Sequence, residues 1–104
     1  MPLDFMASES QKNINEKTPV FSLSENAHDV LLSIAKPKKD FPKIHKFSDY
    51  YSDTSILFGE IKSLIIEIEK AMKTGKPNSG ELNNLIKFLN KTYDENLNLY
   101  IYCD

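Results

Sequence analysis

The 104-residue chain, 40% apolar and 27% charged, has the make-up of one folded domain, residues 1–104, able to remove about two-thirds of its unfolded surface from water. All thirteen basic residues are lysine and the net charge is −2, so the guanidinium forks that grip phosphate and read guanine are missing, which weighs against nucleic acid as the partner. No apolar run approaches the roughly 20 residues of a membrane span, and PLDFMASES at the start lacks the basic opening and apolar core of a signal peptide; the expected compartment is cytoplasmic, with no membrane partner.

In chain order, Leu3, Phe5 and Ala7 alternate with Asp4, Met6 and Ser8, the period of a half-buried strand. The polar stretch from Glu9 to Lys17 reads as a hairpin loop. Thr18 to Leu23 resumes a strand pattern, Phe21 and Leu23 facing one way, Val20 and Ser22 the other. Pro19 has no N–H to give a ladder, so it belongs at the start of that strand or on an edge. Ser24 offers its hydroxyl as the N-cap of a helix from Glu25, with Ala27, Val30, Leu31 and Ile34 as its stripe and Pro37 as its stop.

Lys36 to Lys46, KPKKDFPKIHK, carries five lysines and reads as a solvated loop or as an anion-binding arm. Ile44, Phe47 and Tyr51 then recur at helical spacing, as on a short helix of about two turns. The longest apolar periodicity follows, from Ser55 to Lys73, with Leu57, Ile61, Leu64, Ile65, Ile68 and Met72 on one face. Ile66 lies off this stripe, which implies cover on a second side. Asp53, Thr54 and Ser55 are the candidate caps.

After the break KTGKPNSG, Asn78 and Glu81 have the spacing of a capping box for a last helix striped by Leu82, Leu85, Ile86, Leu89 and Tyr93. Leu97, Leu99, Ile101 and Cys103 finally alternate with Asn98, Tyr100 and Tyr102. A third strand steadies a hairpin that is marginal alone. The expected fold is therefore α+β in the order β-β-α-α-α-α-β: a small three-stranded, mainly antiparallel sheet near residues 3–8, 18–23 and 97–103, with the helices packed on one face.

Chemistry-bearing residues are few. His28 and His45 are seventeen residues apart, with no second ligand at zinc-motif spacing, and both read as surface histidines, His28 on the polar side of its helix. Cys103, the one cysteine, cannot form an internal disulfide and reads as a small buried apolar residue with no basic neighbour to activate it. Asp49 and Asp53 flank two tyrosines and read as surface groups or a cap before a catalytic pair. No phosphate-cradling glycine motif is present. Nothing in the sequence argues for an enzyme, a metal or a cofactor.

The aromatic residues point to binding. With Leu97, Leu99, Ile101 and Cys103 turned to the helices, Tyr100 and Tyr102 stand on the far face of the sheet, as an interface or as a cross-strand pair shielding it. The opening PLDF, the central FPKIHKFSDYYSD and the closing LYIYCD resemble small uncharacterised bacterial proteins of about this length with a DYY-x-D centre, and some small bacterial α+β proteins of this kind resemble immunity proteins. That resemblance implies a module that binds and neutralises a cognate toxin domain. The expected partner is another protein, with Asp49, Tyr50, Asp53, Tyr100, Tyr102 and Asp104 as the contact residues and Tyr51 turned to the core. The alternative is a nucleic-acid-binding protein that stacks bases on the sheet tyrosines beside the Lys36–Lys46 segment. The oligomeric state is left open.

Overall fold

In the computed structural model, which describes residues 2–48 and 53–103, apolar alternation and chain reversal build the sheet as expected for its first and last strands. Strand β1 (Leu3–Ser8) pairs antiparallel with β2 (Val20–Leu23) on one side and with β4 (Asn98–Cys103) on the other. A further strand, β3 (Thr54–Ile56), pairs antiparallel with β4, so the order among the described residues is β2-β1-β4-β3. The helices are α1 (Glu25–Ile34), α2 (Phe58–Gly75) and α3 (Gly80–Asp94).

The sheet presents one face to the helices. Leu3, Phe5, Leu23, Ile56, Leu99 and Ile101 are buried there in a single cluster with Ala27 and Leu31 of α1, Ile61, Leu64, Ile65 and Ile68 of α2, and Leu82, Leu85 and Leu89 of α3. Phe47 meets Phe5 edge-on, with ring centroids 5.3 Å apart, and so ties the connection before β3 into this core.

Four sequence expectations are corrected. Thr54 and Ser55 do not cap α2; they form the edge strand β3, because β4 offers an open ladder to a β-favouring Thr-Ser-Ile run too short to register as periodic. Helix α2 starts three residues later than expected, where the Glu60 carboxylate accepts the Leu57 N–H at 3.2 Å and Asn98 Oδ1 accepts the Phe58 N–H at 2.8 Å. The second of the four expected helices contracts to one 3₁₀ turn, Ile44–Phe47, with Ile44 and Phe47 buried and its leading N–H groups, those of Lys43 and Ile44, accepted by Glu67 on α2. Tyr51 lies outside the described residues. Ile66 is 56% exposed, and Leu57, the first residue of the expected stripe, is 54% exposed and precedes the helix, so α2 is covered from Ile61 to Ile68 and not on a second side at Ile66.

Smaller shifts have local causes. Ser24 caps α1 as expected, its hydroxyl accepting the Ala27 N–H at 3.1 Å, whereas α3 is capped by Ser79 and not Asn78. Pro19 precedes β2, and its carbonyl accepts the Ala7 N–H at 3.1 Å. Leu97 falls outside β4 because Asn96 before it takes a left-handed turn, φ 58°.

The candidate partner-binding face

The face of the sheet turned away from the helices is built by parity. Residues opposite one another across a ladder share a face, so Val20, Met6, Tyr100 and Ser55 form one row across all four strands. Ser22, Asp4 and Tyr102 form the next row. Within it the Ser22 hydroxyl donates to Asp4 Oδ1 at 2.6 Å. Tyr100 and Tyr102 are both half-buried, and Val20 is 51% exposed.

The loop after β1 folds over part of this face. Asn98 Nδ2 donates to the Glu9 carbonyl at 3.0 Å, and in the 3₁₀ turn Gln11–Asn13 the Gln11 amide Nε2 donates to the Tyr102 hydroxyl oxygen at 3.1 Å. These two bonds hold the loop across β4. Between the loop and β3 lies a recess of about 200 Å³, lined by Gln11, Asp53, Thr54, Ser55, Tyr100 and Tyr102. Asp53, exposed at its edge, accepts the Cys103 N–H through Oδ1 at 3.4 Å, so its carboxylate is tethered to the end of β4.

Three of the six residues expected to contact a partner therefore come together: Asp53, Tyr100 and Tyr102. Asp49, Tyr50 and Asp104 lie outside the described residues. Gln11 and Ser55 were not foreseen. Gln11 sits in a polar loop with no periodicity, and Ser55 reads as a cap until β3 is recognised as a strand.

The lysine segment lies on the other side of the sheet, against α2. Lys43 Nζ is 2.8 Å and Lys46 Nζ 3.5 Å from the two carboxylate oxygens of Glu60, and the hydrogen bond from Lys43 leads in holding the Glu60 carboxyl below its ordinary value. Lys70 stands 5.2 Å over the Phe41 ring. Sheet tyrosines and this basic segment thus do not share a surface.

The remaining candidates take other roles. His28 is fully buried, contrary to expectation, because it follows Ala27 on the inner side of α1; its Nε2–H donates to the Phe47 carbonyl at 2.8 Å, and burial pushes its pKa down. His45 Nε2 likewise donates to the Ala35 carbonyl at 2.9 Å. Cys103 keeps the inward phase but is only half-buried, at the end of its strand opposite Leu3. Among the described residues no group of three or more His, Cys, Asp and Glu side chains is placed to hold a metal ion, and no helix is long and apolar enough to cross a membrane. Comparison with family models, with curated proteins and with solved structures finds no match.

Proposed function

We propose that this protein is an intracellular binding module that docks another protein onto the open face of its sheet, most concretely an immunity-type inhibitor that neutralises a toxin domain. The supporting observation is the row of Val20, Met6, Tyr100 and Ser55 beside Tyr102, left uncovered by helices that all pack on the opposite face. Tyrosine is suited to this use. It adds large contact area with a polar tip and loses little rotamer freedom on binding.

Size sets the extent of the contact. Strands about 4.8 Å apart with a rise of about 3.4 Å per residue make the open face roughly 14 Å by 17 Å. That is well below the ~800 Å² per partner of a standard interface, so the contact extends onto the Gln11–Asn13 turn and the Asp53 corner. Asp4 and Asp53, against Lys12 on the turn, give this surface a net acidic character that complements a basic cleft, such as a nuclease toxin presents. Blocking such a cleft needs no catalysis.

The test is to produce the protein encoded beside this chain in its source genome, with and without this chain. The reading expects a complex that survives gel filtration and relieves any growth inhibition. Absence of a complex, together with salt-sensitive retardation of single-stranded RNA or DNA by this chain, contradicts it.

A further inference from the structure

The recess between the Gln11 turn and β3 is small and chemically one-sided. Its volume of about 200 Å³ is below the ~300–1,000 Å³ of pockets that enclose whole small-molecule ligands. It does accommodate the head of one long side chain. Among the described residues its lining includes one carboxylate, Asp53, and no lysine. The other lining residues carry hydroxyls, on Thr54, Ser55, Tyr100 and Tyr102, and the Gln11 amide, all of which can accept hydrogen bonds.

Gln11 Nε2 already donates to the Tyr102 hydroxyl oxygen, which leaves the tyrosine's own proton and the Gln11 carbonyl oxygen directed elsewhere. A carboxylate beside two phenol rings favours a cation with N–H donors. An ammonium is a compact, strongly hydrated charge, whereas a guanidinium is flat and weakly hydrated, stacks on aromatic rings and forks onto a carboxylate.

We infer that the recess lined by Asp53, Tyr100, Tyr102 and Gln11 is a receptor for a single arginine side chain presented by the partner protein. The inference rests on the proposed docking face and gives it an anchor: the arginine head enters between the two tyrosines, its guanidinium faces Asp53, and the rest of the face surrounds it. A chain with no arginine of its own cannot fill this recess with a guanidinium from a second copy, which makes the partner a different protein.

The probe is N-acetyl-arginine methylamide, titrated into the whole protein while NMR follows Tyr100, Tyr102 and Ser55. Saturable shifts at these residues are expected. Binding should weaken about tenfold or more with the neutral citrulline analogue, and likewise in Asp53→Asn, as expected for the loss of a charge-assisted contact. Equal binding of the citrulline or lysine analogue, unchanged binding in Asp53→Asn, or no saturable shift overturns the inference. The docking reading fails on a different result, normal partner binding by Tyr100→Ala and Tyr102→Ala. Thermal unfolding of Asp53→Asn at the wild-type temperature confirms that the variant is folded.

Discussion

Glu81, in the first turn of α3, accepts both the backbone N–H and the hydroxyl of Ser24, the N-cap of α1, with the hydroxyl bond at 2.9 Å. One carboxylate thus completes the cap of another helix far along the chain. Ser24 in turn accepts the Ala27 N–H, so its hydroxyl serves as donor and acceptor together.

Removing the carboxylate by Glu81→Ala should cost about 1 to 3 kcal/mol, the range for hydrogen bonds to a charged group that leave partly buried partners unmet. Ser24→Ala should cost about 1 kcal/mol through loss of the cap. The double variant should lose less than the sum of the two, which urea unfolding of the four proteins measures. Strict additivity would show that the two residues do not act as a unit.

Gly75 closes α2 against α1. A Cβ at this position would collide with Ile34 Cγ2 and lie 2.7 Å from Ile34 Cβ, which is too close to the backbone to swing aside. Gly75→Ala should therefore destabilise the fold by about 1 to 3 kcal/mol, the range for overpacking, although alanine is the better helix former. The cost should largely vanish in an Ile34→Gly background, which removes both Cγ2 and Cβ. If it persists there, the close approach is not its cause.

Burial lowers the pKa of His28 in the folded state below its ordinary value of 6.5. The unfolded chain then takes up this proton first as the solution is acidified. The stability associated with the neutral imidazole is present in full above pH 6.5 and is lost as the pH falls from there through the folded-state pKa. Urea unfolding between about pH 7.5 and 5.5 should show a steeper loss in the wild type than in His28→Gln, which cannot titrate there. Equal slopes would mean that His28 does not couple folding to pH.

Ile65 and Leu85, buried on the facing stripes of α2 and α3, should each cost about 2 to 5 kcal/mol when replaced by alanine. Losses below about half a kcal/mol at both would reject the helix phasing, since that is the scale of surface substitutions.

The legible parts of the fold are those where a local pattern and its tertiary partner agree. Leu3, Phe5 and Ala7 alternate in sequence and lie buried on one face, and the stripe from Ile61 to Ile68 is the buried side of α2. β3 was illegible because three residues carry no period; its strand state comes from pairing with Ser55 opposite Tyr100. His28 reads as polar by type, yet helix geometry places it inward, where the Phe47 carbonyl, nineteen residues away, accepts a hydrogen bond from its Nε2–H. The same holds for the site. Tyr100 and Tyr102 follow from strand parity, whereas Gln11, ninety-one residues from Tyr102, joins them only through a loop that folds back over the sheet.

The central claim, that the open sheet face binds a partner protein, is tested most directly by isothermal titration of that partner into wild type, Tyr100→Ala and Tyr102→Ala, with thermal unfolding measured alongside. At least one substitution should weaken binding by more than about 1 kcal/mol, the scale of an interface anchor, with the unfolding temperature nearly unchanged. Wild-type affinity in both variants would contradict the claim.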